Sequence, residues 1–443
     1  MKQLISNTAF LILLISTVSW MGCESSSTGT GDDNDTDFDT RQNLMPITGT
    51  SADCVNGMAA DTYPCQDVDL LARVTPSQLM GTELNDIWGW TDPATGKEYA
   101  LVGLRDRITF VDISTPEEPV VVGTLPEIET GSKMNSALHD DEGEGKEAPW
   151  RDVKVYDNHA YVVSDGQPHG LQIFDLTRLR DVEDKVLIFT EDVHFTGFGN
   201  AHNIAINEET GYAYVVGSNQ AGGGLYILDL SNPKDPQFVG THADNTVGRA
   251  STGYVHDTQC VIYTGPDSDY SGREICFNSS ETHFVIADVS DKSAASTISK
   301  AIYPGNEYAH QGWLTEDHKY FLLDDELDEE GVGDSTSTYI WDVRDLDSPE
   351  LIGTYKAPNF SIDHNQYIKG NFSYQANYTV GLRILDLSNI SQGALQEAAF
   401  FDTYPIDNSL GFHGAWSNYP FFESGVVIVS DIDNGLFILS SNL

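Results

Sequence analysis

Seven copies of one short β-rich pattern predict an all-β chain, a seven-bladed β-propeller closed by pairing of an N-terminal strand with the last blade. Composition points the same way: 39 glycines and 17 prolines supply turns, and 40% hydrophobic residues supply a core. The copies are ITFVDISTPEEPVVVGTL, GLQIFDLTRLRD, GLYILDLSNPKDPQFVGTH, HFVIADVSDKSA, TYIWDVRDLDSPELIGTY, GLRILDLSNIS and GLFILSSNL. Most run through a small residue, an apolar strand, an acidic turn and a second apolar strand.

The N-terminus precedes the repeats and differs from them. Residues 1–22 carry Lys2, then an apolar run from Ala9 to Trp20, the pattern of a secretory signal too short to span a membrane. Gly22-Cys23 resembles a bacterial lipobox, so Cys23 is the expected lipid anchor of an exported lipoprotein at the outer membrane or cell surface. Trp20 replaces the aliphatic residue usual there, which leaves ordinary signal cleavage as the alternative. Residues 23–50, rich in Gly, Ser, Thr and Asp, read as a tether that cannot bury apolar surface, and residues 54–443 as the propeller.

Four cysteines remain, an even number suited to an oxidising compartment. Cys54 and Cys65 close a short loop, and Cys260 and Cys276 fall on paired strands, so two local disulfides are the simplest assignment. No CxxC spacing favours the rival reading, a thiolate metal site. The formal charge of −45 repels phosphate backbones and anionic headgroups, which excludes nucleic acid as a partner and leaves the lipid anchor as the only membrane contact.

Within the copies, Asp112, Asp175, Asp229, Asp288, Asp342 and Asp386 stand at one turn position, with Ser440 in the last copy. A Ser, Thr or Arg two residues on predicts side chains that hydrogen-bond a tight turn. Apolar runs upstream, such as EYALVG and GYAYVVGS, supply further strands. The last copy stops after three strands, and VDLLARVTP (68–76) resembles a missing fourth; pairing the two removes the open edge.

At the start of the predicted innermost strands stand Asp86, Asp152, His202, His256, His310, His364 and His413, with His202, His256, His310 and His364 each 54 residues apart. Innermost strands line the axis, so these seven predict a polar ring at one mouth. The second strands return to that face with Asp165, Asp324, Asp325, Glu326, Asp431 and Asp433. Imidazole and carboxylate together suit zinc, copper, iron or manganese. The competing reading is structural, since a histidine near the inner strand braces each blade of WD-repeat propellers. The other histidines, among them His139, His159, His169 and His194, share no repeat position and are expected on the surface. The acidic loop Asp324–Asp334 lacks EF-hand spacing; a solvated loop is expected, with calcium as the alternative. No GxSxG, HExxH or phosphate loop is present.

The segments CVNGMAADTYPCQDVDLLARV, DIWGWTDPATGKEYALVG, FVDISTPEEPVVVGTLP, WRDVKVYDNHAYVVSD and HGLQIFDLTRLR resemble the choice-of-anchor B family of LVIVD-repeat proteins, over nearly everything from Cys54 to Leu443. The resemblance implies an extracellular or surface propeller whose members differ in how they are attached, and it carries no catalytic residues. The expected function is an anchored, monomeric binding or scaffold module whose axial face takes a protein, glycan or small ligand, with a candidate metal site at the histidines. The alternative is a metal-dependent periplasmic or surface enzyme using the histidine and aspartate ring.

Overall fold

Runs that are apolar at nearly every position, such as Glu98–Leu104, form strands buried on both faces, because each sheet is packed between two others. The structure, a computed structural model, describes residues 44–128, 150–166, 168–182, 185–331 and 335–443. The signal segment, Cys23, most of the tether and His139 lie outside the described residues. The same holds for Val332, Gly333 and Asp334 at the end of the acidic loop.

Seven sheets of at least four strands form a β-propeller, antiparallel apart from the short strand Leu187–Ile188, which lies parallel to Val120–Pro126. The innermost strands are Leu84–Thr91, Arg151–Tyr156, Asn203–Asn207, Asp257–Ile262, Ala309–Leu314, Gln366–Lys369 and Ala415–Tyr419. Each touches the next, and the last touches the first, so the ring is closed. Closure is made as expected: Val68–Val74 lies antiparallel to Gly435–Ser441, with Leu70 opposite Leu439 and Val74 opposite Leu436. The final blade thus takes three strands from the C-terminus and one from the N-terminus. Arg73 on the closing strand is buried, its guanidinium donating to the carbonyls of Asn434, Leu44 and Met45.

The repeated aspartates act as turn residues. Asp112, Asp175, Asp229, Asp288, Asp342 and Asp386 each accept the backbone N–H two residues on, at 2.8–3.1 Å. The strand after the turn carries a Gly-Thr pair in three blades, and the glycine has a packing reason. A Cβ at Gly240 would run into the carbonyl oxygen of Lys292 from the neighbouring blade, and one at Gly353 into that of Gly393. Disulfides join Cys54 to Cys65 and Cys260 to Cys276, the latter directly opposite on adjacent strands. Beyond expectation, Tyr63–Gln66 adds a strand to the outer edge of the sixth blade, where Cys65 pairs with Phe401. No helix among the described residues is long and apolar enough to cross a membrane.

Candidate functional site

Four of the seven predicted ring residues sit side by side. The imidazoles of His202, His256, His310 and His364 follow one another with centroid separations of 4.3, 4.2 and 4.4 Å. Trp416 continues the arc at 4.4 Å from His364, and Trp150 at 4.6 Å from Trp416.

His413 is not part of this arc. Its side chain is half exposed, held by Asp433 at 3.2 Å and stacked on Tyr404. The inner strand of the last blade bulges between Ala415 and Ser417, as that of the fifth blade does between Ala309 and Gly312. Ala415 and Ala309 bridge to the preceding blade in the same way, through Tyr378 and Glu281. Trp416 therefore stands where His310 stands. The aromatic residue three places further on carries the same signal: Trp313, Tyr367 and Tyr419 pack together through Trp88 and Phe421, and counting back three from each gives His310, His364 and Trp416.

Asp86 and Asp152 are also buried, but in a layer of their own. Both bind the ammonium of Lys154, Asp86 at 2.9 Å, and Asp152 also accepts the backbone N–H of Ile204 at 2.7 Å. Burial works against charge on Asp86, yet Lys154 and surrounding hydrogen bonds hold it down at about 2. Asp152, buried beside that charge, is pushed well up. This closed triad braces three inner strands and leaves the histidines to others.

Each imidazole in the arc has one nitrogen committed. His202 Nδ1 meets Asp165 at 2.8 Å, His256 Nδ1 the carbonyl of His310 at 3.0 Å, His310 Nδ1 Asp324 at 3.2 Å, and His364 Nδ1 the carbonyl of Trp416 at 2.6 Å. Sequence reasoning placed Asp165, Asp324 and Glu326 on this face but assigned none of them a partner. For Glu326 the role was missed: its carboxylate lies 3.8 Å from His310 Nε2 and 3.6 Å from His364 Nε2, and accepts the Tyr378 hydroxyl at 2.8 Å. One donor atom from each of His310, Glu326 and His364 falls within 4.8 Å of the others.

The electrostatics divide the arc. His256 and His310 are pushed well below the usual imidazole range by burial and by neighbouring histidines, and His364 falls to about 3, chiefly through burial. These three are neutral at pH 7, as metal ligation requires. Burial also raises the Asp324 carboxyl that His310 Nδ1 meets. His202 is the opposite case: burial alone would lower it, but Asp165 overcomes this and lifts it to about 9. Burial raises Glu326 to about 7.

Below the Lys154 layer, the aromatic side chains Trp88, Trp313, Tyr367, Tyr419 and Phe421 line a cavity of about 490 Å³. Two further expectations need correction. His159 and His169 are buried, not superficial; His169 bridges Arg151 and Gln172 at 3.1 and 3.2 Å, while His194 is exposed as expected. The described part of the acidic loop is not solvated either, because Asp324, Asp325, Asp328 and Glu329 are all buried.

Among known proteins, the LVIVD repeat model matches residues 198–244 and 366–399, in the third and sixth blades. No curated protein matches the chain. Among solved structures, a protein from Lactobacillus plantarum is 13% identical with a TM-score of 0.48, covering 79% of this chain and 88% of its own. The β-propeller domain of Myceliophteria thermophila Cps50 (Swd1) is 11% identical with a TM-score of 0.49, covering 81% and 96%.

Proposed function

We propose that this chain is an exported binding module, tethered through Cys23, that holds a divalent transition metal on His310, His364 and Glu326 at the axial face and uses it to capture a ligand. One observation carries the reading: His310 and His364 each commit Nδ1 to an outer partner and turn Nε2 towards one carboxylate. Protein metal sites orient ligating imidazoles this way, by giving the second ring nitrogen to a carboxylate or a backbone carbonyl. Tyr378 anchors the third ligand.

Two imidazoles and one carboxylate suit zinc or iron and leave positions open for a further donor from a protein, glycan or small ligand. That vacancy also supports the second reading, a metal-dependent surface enzyme, in which a bound water occupies the open position. Asp86 and Asp152 have no part in either version, since Lys154 holds both.

The test is elemental analysis of untagged protein after growth in metal-replete medium, beside His310→Ala and Glu326→Gln. About one equivalent of metal in the wild type and little in either variant is expected. Metal-free wild type, or metal retained by both variants, would remove the basis for the proposal.

A further inference from the structure

The cavity beyond the Lys154 layer lies away from the histidines. Inner strands begin at the histidine mouth, as His202 and His256 immediately precede Asn203–Asn207 and Asp257–Ile262, and the cavity draws on far strand ends such as Asn207 and Tyr419. One position, three residues on from the histidine arc, supplies most of its wall. Trp313, Tyr367 and Tyr419 hold it in blades five to seven, and Trp88 and Lys154 line the cavity from blades one and two. Ala205 and Gln259, three residues after His202 and His256, complete the circuit.

The two halves of this wall differ in chemistry. One is aromatic: between ring centroids Trp313 lies 4.9 Å from Tyr367, Tyr367 5.7 Å from Trp88, and Trp88 5.0 Å from Tyr419. Phe421 packs against all four at 5.3–6.3 Å. The other half is small or polar. Ala205 leaves room, Gln259 accepts the backbone N–H of Leu314 at 2.7 Å, and Asp257 accepts that of Thr258 at 2.6 Å. Among the described residues, the NH₂ group of Gln259 and the second carboxylate oxygen of Asp257 have no hydrogen-bond partner, so both remain for a ligand. Lys154 is already engaged, bound by Asp86 and Asp152 and lying 4.6 Å over the ring of Trp88.

We infer that this cavity binds a neutral pyranose sugar, at a site separate from the histidines. A pyranose ring has C–H groups on its face, which pack on aromatic rings, and hydroxyls around its rim, which both donate and accept hydrogen bonds. An aromatic wall opposite an amide and a carboxylate offers both halves of that recognition. The volume of about 490 Å³ lies within the usual span of small-molecule sites, about 300–1,000 Å³. Charge argues against the rival ligands. Glu208 and Glu209, exposed at the edge of the cavity, repel anions, and the Lys154 ammonium already takes the place on Trp88 that a quaternary ammonium would seek.

The experiment uses the full chain in the presence of chelator, so that the result stands whether or not the histidines hold a metal. Methyl glycosides of glucose, galactose, mannose and N-acetylglucosamine, with maltose and cellobiose, are titrated while calorimetry and tryptophan fluorescence are recorded, Trp88 and Trp313 being the reporters in the wall. At least one of these sugars should bind at one site per chain, with a dissociation constant in the millimolar range or tighter, and shift the tryptophan emission. Ala205→Phe, which fills the cavity, and Trp313→Ala, which removes part of the aromatic wall, should each weaken that binding at least tenfold. Should either variant fail to fold, Asp257→Asn, which preserves size and alters only the hydrogen bonding, should weaken it at least threefold. No saturable binding of any of the six sugars at tens of millimolar overturns the inference. So does binding that the folded variants leave unchanged, and so does saturable binding of choline with no sugar bound, since the cavity then serves cations.

Discussion

Replacing Asp165 by asparagine should flatten the dependence of stability on pH. His202 has its ring 2.8 Å from Asp165, and its side chain is only 18% exposed. Despite burial, that carboxylate lifts His202 from 6.5 to about 9. A folded-state value above the unfolded one means that the contribution is complete below pH 6.5 and disappears as pH rises through about 9. At about 1.4 kcal/mol for each tenfold change, the interval corresponds to about 3 kcal/mol. Urea unfolding at pH 6, 7.5 and 9.5, with chelator present, should show the wild type losing about this much more than Asp165→Asn across the range. The two should converge at pH 9.5. Parallel profiles in the two proteins would refute the pairing of His202 with Asp165 as the source of the shift.

Other consequences follow from the closure and the blade contacts. Leu70 is fully buried on the closing strand, so Leu70→Ala should cost about 2–5 kcal/mol and expose the edge of the last blade, read as a lower melting temperature and aggregation by gel filtration. Gly240→Ala should cost about 1–3 kcal/mol, since its new methyl group meets the Lys292 carbonyl; a variant as stable as wild type would show that the blades yield there.

The features legible in the sequence are those that repeat. Each blade is built from contacts between strands adjacent in the chain, so the pattern of apolar run and acidic turn returns with every copy and its aspartates could be assigned before their hydrogen bonds were seen. The incomplete last copy and the orphan strand Val68–Val74 solve each other, which made the closure readable across nearly the whole chain. The cysteines paired by the same local logic.

The site was less legible. Aligning the last copy on its histidine shifts it by three residues, because the bulge at Trp416 matches the one beside His310 and only the following aromatic reveals the register. The acidic run after the second strand of the fifth blade looks solvated by composition, yet Asp328 and Glu329 are buried, since charge density does not disclose where a loop is packed.

From its residues alone the chain determined an all-β ring, its closure, its turns and four neighbouring imidazoles at one mouth. Those depend on short-range order multiplied by repetition. Only the tertiary structure decided that Asp86 and Asp152 belong to Lys154, that His413 stands apart, and that Glu326 meets His310 and His364. Asp86 meets Lys154 and Glu326 meets His364 across blades, and closing the ring creates a proximity that no spacing along the chain encodes.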